Sequence, residues 1–183
     1  MLKVALREGS VASFKVVVTG PFNSGKTEFI KTISDIPVVS TEKKITTEDR
    51  GIKAVTTVAM DYGRVALGGD TLYLYGTPGQ ARFDFMWEIL SGEMNAFIVL
   101  ADSTDPPSFP DVADLISLFS GISPVPYLVV ANKSDIAGAA RLQDVRRGTN
   151  MPSDITVMPA VATQKSSVRQ VLLQVVELLH NRG

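Results

Sequence analysis

The sequence predicts an α/β fold: a six-stranded, mostly parallel sheet with one antiparallel strand and helices on both faces. Three observations predict it. Apolar, β-rich runs recur at 14–19, 57–67, 71–75, 96–101, 126–131 and 155–160. Helical patterns at 26–33, 82–91, 109–120, 138–147 and 166–180 fall between them. Strands that alternate with helices build a parallel sheet covered on both faces. The exception is the pair of runs around Gly68-Gly69-Asp70, which reads as a hairpin and supplies the antiparallel strand.

Residues 1–13 form an edge strand or a loose arm ahead of the first buried run, Phe14-Lys15-Val16-Val17-Val18-Thr19. Directly after it comes Gly-Pro-Phe-Asn-Ser-Gly-Lys-Thr at 20–27, a G-x-x-x-x-G-K-[ST] phosphate-binding loop between a strand and a helix. Backbone N–H groups of such a loop and of the following helix N-terminus converge on phosphate, where the helix dipole favours negative charge. The contacts expected are Gly20, Asn23, Ser24, Gly25, Lys26, Thr27 and Glu28. Lys26 places a point charge at the terminal phosphates, and the Thr27 hydroxyl enters a Mg²⁺ shell.

The stretch 34–56 is rich in Thr, Lys, Glu and Asp and has no sustained period, so it reads as a long functional loop. Farther on, the run Tyr127-Leu128-Val129-Val130-Ala131 ends in Asn132-Lys133-Ser134-Asp135. A carboxylate at Asp135 accepts two hydrogen bonds from guanine N1–H and the N2 amino group; adenine has no such pair and leaves the carboxylate unmatched. Asn132 and the Lys133 stem brace the base and its loop. Both motifs fall at the carboxyl ends of strands, where open α/β sheets bind ligands. The last helix, 166–180, carries Val168, Val171, Leu172, Val175, Val176, Leu178 and Leu179 on a broad apolar face.

Length and composition agree with one domain over 1–183: 183 residues, 45% apolar, suffice for a sizeable core. A net charge of −1 gives no electrostatic case for nucleic acid or an anionic membrane surface. There is no cysteine, which excludes disulfides, thiolate metal sites and thiol-linked lipid anchors, and position 2 is Leu, which predicts no myristoyl signal. No apolar run is long enough for a membrane span. The expectation is a cytoplasmic protein placed through protein partners. His180, the single histidine, is expected to be structural or exposed, and no zinc or triad chemistry is available.

These pieces in this order resemble a small Ras-like GTPase over nearly the whole chain: the phosphate loop 20–27, Thr57 before a strand, Thr77-Pro78-Gly79-Gln80, Asn132–Asp135 and Ala162. The segments around Thr56-Thr57-Val58-Ala59-Met60-Asp61-Tyr62-Gly63 and Tyr75-Gly76-Thr77-Pro78-Gly79-Gln80 resemble the prokaryotic branch that includes the MglA-type polarity GTPases. The resemblance implies the Ras-like P-loop NTPase fold and a Mg²⁺-dependent switch. Such a switch binds GTP or GDP, hydrolyses GTP slowly, and signals through loops at about 35–57 and 76–86. It implies that Thr57 completes the Mg²⁺ shell, that Gly79 donates its N–H to the γ-phosphate, and that Gln80 orients the attacking water. Val161-Ala162-Thr163 resembles the segment whose central N–H meets guanine O6. A Roadblock/longin-type activator is implied as a partner, with no nucleic acid and no lipid anchor.

Two departures, at Gly76 and Phe22, and one further candidate, Arg50, stand out. The family's aspartate ahead of the Thr77 segment is replaced by Gly76, and Asp61 on the neighbouring strand is expected to take over, through water. Phe22 stands where many relatives have glycine beside the γ-phosphate, which implies slow unaided hydrolysis or a rearranged switch; with Gly76 it leaves open a GTP- or GDP-binding module with little hydrolysis that needs a partner activator. Arg50, in the long loop, is a candidate internal arginine finger or one solvated charge among many. Trp87, with Phe83, Phe85 and Met86, follows the second switch as core or partner surface.

Overall fold

A computed structural model describes residues 11–49, 52–78 and 92–181, with the backbone alone over 41–49 and 52–59. Among the described residues there are seven strands: β1 (Ser13–Thr19), β2 (Val39–Asp49), β3 (Ile52–Leu67), β4 (Asp70–Gly76), β5 (Ala96–Asp102), β6 (Tyr127–Asn132) and β7 (Val157–Pro159). They form one sheet in the order β2-β3-β4-β1-β5-β6-β7. β3 runs antiparallel to both of its neighbours, and β4, β1, β5, β6 and β7 pair in parallel. Among the described residues the helices are α1 (Lys26–Ile33), α2 (Phe109–Ile122), α3 (Leu142–Gly148) and α4 (Lys165–His180). None of the described helices is long and apolar enough to cross a membrane.

The two-residue period of the central strands sorts their side chains into two cores. Val16, Val18, Ile98, Leu100, Leu128 and Val130 point to the face covered by α1 and α4, where Phe29, Ile30, Val168, Leu172 and Val175 meet them. Val17, Phe97, Val99, Ala101, Val129 and Ala131 point to the opposite face, against Phe109, Val112, Ile116 and Phe119 of α2 and Val145 of α3. Strands buried on both faces read as continuous apolar runs, which is why 96–101 and 126–131 were legible. The Gly68-Gly69 turn joins Leu67 to Asp70, as the hairpin reading expected.

The sheet has one strand more than the six expected. The additional strand is β2, in the stretch read as a loop, and β3 starts at Ile52 rather than near 57. β2 pairs with β3 from Val39↔Tyr62 to Asp49↔Ile52, whereas β4 pairs with β3 only from Asp61 onward. Among the described residues, most of this ribbon is therefore held by hairpin hydrogen bonds, without a third strand beside it. Alternating hydrophobicity marks a strand only where one face must be buried, so a two-stranded ribbon leaves little periodic trace. Arg50, the expected helix 82–91 and the Phe83–Trp87 cluster lie outside the described residues.

At the end of the sheet where β3 turns into β4, the buried Asp70 carboxylate binds His180 Nε2 at 2.7 Å and accepts the Ala12 N–H at 3.2 Å. His180 also meets the Phe14 ring edge-on. The structural role expected for this histidine is thus a tie between the last turn of α4 and the β3–β4 turn.

Candidate nucleotide site

The site lies along the carboxyl ends of β1, β4, β5 and β6. β1 delivers Gly20 and the loop that becomes α1. Gly25 caps that helix in the left-handed region, at φ 101, and a Cβ there would stand 2.3 Å from Asn132 Nδ2. Only glycine fits both the angle and the approach. The first-turn N–H groups of α1 have no partner within the helix and face the cleft that a phosphate would enter.

Two adjoining cavities share Gly25 and Glu28. The larger, about 560 Å³, is lined by Phe22, Asn23, Lys26, Thr27, Ser40, Asp61, Thr77 and Pro78. The smaller, about 270 Å³, is lined by Asn132, Lys133, Asp135, Ile136 and the segment Val161-Ala162-Thr163. The polar, cation-bearing cavity has the character of a phosphate pocket, and the smaller, more apolar one between Asn132 and Ala162 that of a base pocket.

In the larger cavity Lys26 is only 9% exposed. Its Nζ donates to the Gly20 carbonyl at 2.7 Å and the Pro21 carbonyl at 2.8 Å. Burial pushes its ammonium down to a pKa of about 8, partly offset by the negative charge of Asp61. Asp61 stands directly opposite Gly76 in the β3–β4 register. A Cβ at position 76 would lie 3.2 Å from Asp61 Cβ and 3.0 Å from Ile30 Cδ1. The absent side chain of Gly76 thus leaves room for the acid on the neighbouring strand. Thr27 Oγ1 donates to Asp61 Oδ2, and Ser40 Oγ donates to Asp61 Oδ1 at 3.0 Å. This oxygen-only donor set, with one carboxylate beside a phosphate loop, fits Mg²⁺ in character. Phe22 projects at the mouth of the cavity with 73% of its surface exposed.

The smaller cavity is braced from within the protein. Asn132, 2% exposed, donates through Nδ2 to the Ser24 carbonyl at 2.9 Å and accepts the Ala162 N–H on Oδ1 at 2.9 Å. Lys133 Nζ donates to the Asn23 carbonyl at 2.9 Å and to Asp102 Oδ2 at 2.5 Å. Both Asn23 and Lys133 have left-handed backbones, φ 65 and 60, so the lysine ties one unusual turn to the other. Burial alone would raise the Asp102 carboxyl, but hydrogen bonds from Lys133 and from the Thr104 hydroxyl and N–H outweigh it and hold its pKa below the ordinary value.

The structure thus brings together Gly20, Asn23, Ser24, Gly25, Lys26, Thr27, Glu28, Asp61, Asn132, Lys133, Asp135, Val161, Ala162 and Thr163 around one cleft. It does not bring Thr57 there. Thr57 lies inside β3 opposite Lys44, four residues from Asp61 and so about 13 Å along an extended strand. The Ala162 N–H, expected at guanine O6, is engaged by Asn132 instead. Gly79 and Gln80 lie outside the described residues. Two contributors escaped the sequence reading. Asp102 had a signal, as the polar residue ending an all-apolar strand at the ligand edge; Ser40, in an unpatterned stretch, had none.

Comparison with known proteins adds the following. The family model described as "Conserved hypothetical ATP binding protein" matches residues 18–181. The uncharacterized protein MJ1339 of Methanocaldococcus jannaschii is 32% identical over 122 residues, covering 67% of this chain and 71% of that protein. Human ADP-ribosylation factor-related protein 1 is 24% identical over 137 residues, 72% of this chain and 64% of its own length. Among solved structures, the Arl6 BBS3 small GTPase of Trypanosoma brucei with the bound nucleotide analogue GppNp superposes with a TM-score of 0.73 at 20% identity. It covers 94% of this chain and 100% of its own. The fold is that of the small Ras-like and Arf-like GTPases.

Proposed function

The chain belongs to the family described as conserved hypothetical ATP binding proteins, and from that premise we propose that it is a guanine-nucleotide switch that binds GTP and GDP with Mg²⁺ and hydrolyses GTP slowly. The observation that carries this reading is the pairing of the two cavities: Asp135 lines the base-sized one, and Lys26 with the α1 N-terminus lines the other. The family description names ATP, but the chemistry at the base favours guanine. A carboxylate at the rim pairs with N1–H and the N2 amino group, and adenine would leave it unmatched. The Arf-like relatives and the GppNp-bound structural neighbour point the same way.

Lys26 leaves the Gly20 and Pro21 carbonyls for the phosphates, and the loop N–H groups face the developing charge. Gln80 positions the water and Gly79 donates its N–H to the γ-phosphate; phosphoryl transfer demands positioning and charge stabilisation above all. Thr27 and Asp61, the latter through water, hold Mg²⁺, which when bound neutralises charge on the phosphate oxygens. Thr57 belongs to the same proposal as a residue that joins only when the β2–β3 ribbon rearranges. Unaided rates for such proteins are on the order of 10⁻⁴ to 10⁻² s⁻¹. The likeness to the MglA-type branch adds a Roadblock/longin-type activator and a cytoplasmic setting to the proposal.

Competition against fluorescent GDP tests the base. GTP should displace it at far lower concentration than ATP, and ATP displacing it equally well would overturn the guanine reading. A single-turnover assay then tests the chemistry, with slow GTP conversion that Gln80→Leu abolishes as the expected result. A second reading, nucleotide binding with little hydrolysis, draws on the exposed Phe22 at the phosphate cavity; tight GTP retention without conversion would favour it.

A further inference from the structure

We infer that Ser40 supplies a hydroxyl ligand to the divalent cation that accompanies the nucleotide, forming with Thr27 a two-hydroxyl seat that Asp61 orients. The inference rests on the nucleotide-binding reading above and concerns a residue that reading does not use.

The two oxygens of Asp61 are divided between two hydroxyls. Thr27 Oγ1 donates to Oδ2, and Ser40 Oγ donates to Oδ1 at 3.0 Å. A hydroxyl has one proton and two lone pairs. Donation to Asp61 directs the proton of each hydroxyl to the carboxylate and leaves its lone pairs for a cation. All three residues line the phosphate cavity beside Lys26. Hard oxygen donors from two hydroxyls, with a carboxylate that orients them from behind, suit Mg²⁺, which keeps waters and shares phosphate oxygens.

Register makes the choice of Ser40 specific. Ser40 is paired with Asp61 across β2 and β3, and Asp61 is paired with Gly76 across β3 and β4. The three positions form one row across the sheet at the edge of the cleft. Thr57 lies four residues earlier in β3, paired with Lys44. While β2 holds this register, the strand hydroxyl at the seat is that of Ser40. Thr57 can replace it only if the ribbon unpairs or slides.

The test is the release of fluorescent GDP across a Mg²⁺ series. In the wild type, Mg²⁺ slows release. Ser40→Ala should raise the Mg²⁺ concentration for half-maximal slowing by about tenfold, the scale of losing one ligand or its orienting partner. Ser40→Thr should restore it. With Mg²⁺ chelated, wild type and Ser40→Ala should release GDP at the same rate, which a general loosening of the fold would not allow. The seat is overturned if Ser40→Ala matches the wild type across the series, if its release is faster by the same factor without Mg²⁺, or if Thr57→Ala shifts the Mg²⁺ dependence and Ser40→Ala does not. A wild type that retains GDP in a Mg²⁺-sensitive way while Ser40→Ala is silent defeats the seat alone. A wild type that retains no GDP defeats the nucleotide reading and the seat with it.

Discussion

Around the base cavity, Asn132 and Lys133 are committed to the protein. Asn132 bridges the Ser24 carbonyl and the Ala162 N–H, and Lys133 joins Asn23 to Asp102. Around the phosphate cavity, the partners are ones a ligand would displace. Lys26 turns back onto the Gly20 and Pro21 carbonyls, and the Thr27 and Ser40 hydroxyls rest on Asp61. One half of the cleft is a finished scaffold, and the other holds its charged and hydroxyl groups in reserve. Substitutions on the two sides should therefore separate stability from affinity.

The largest separation is expected at Lys26. Lys26→Met removes the point charge from the phosphates and should weaken GDP binding by about a hundredfold or more in a fluorescence titration. The same substitution takes a desolvated cation out of the interior, so the melting temperature of the nucleotide-free protein should rise. A fall in melting temperature would make Lys26 part of the scaffold and erase the contrast. Asn132→Ala is the opposite case. It leaves the Ser24 carbonyl and Ala162 N–H without their partner and should cost about 2–3 kcal/mol of stability. That corresponds to a melting temperature lower by about 5–10 °C.

The pH dependence sharpens the same contrast. With its pKa lowered from 10.5 to about 8, Lys26 binds fewer protons in the folded than in the unfolded chain between those values. The Lys26 contribution to stability therefore increases as pH rises from 8 toward 10.5, by about 3 kcal/mol in all, and its burial penalty is fully present below 8. Phosphates favour the ammonium, so GDP affinity should fall above pH 8 by up to about tenfold per pH unit. Lys26→Met should abolish both trends, measured by chemical denaturation and by titration. The smallest effect is expected at Gly76→Ala. The new methyl meets Ile30 Cδ1 at 3.0 Å and Asp61 Cβ at 3.2 Å, and should cost about 1–2 kcal/mol while displacing Asp61. A measurable weakening of the Mg²⁺ effect without loss at the base would confine the damage to the phosphate side.

What the sequence revealed follows the same division. Strands buried on both faces, 96–102 and 127–132, announced themselves by unbroken apolar runs, and the polar motifs at their ends located the cleft. Asp61 could be placed beside Gly76 because the hairpin turn at Gly68-Gly69 fixes the register that sets the two opposite each other. β2 was not legible, since the stretch 34–56 carries no sustained hydrophobic period from which a strand could be read. With β2 hidden, no pattern locates Ser40, and Thr57, expected just ahead of a strand, lies within β3. The Asn132–Ala162 hydrogen bond spans 30 residues and depends on how two loops close on each other, which no local pattern encodes.

The β2–β3 ribbon gives the cleft a long pointer. Its root is the Ser40–Asp61 pair, and its last described pair is Asp49–Ile52, nine residues out. At about 3.3 Å per residue that is an arm of about 30 Å. A tilt of about 10° at the root would sweep the far end through about 5 Å, so a rearrangement on the scale of one cation ligand would be read out on the scale of a protein surface.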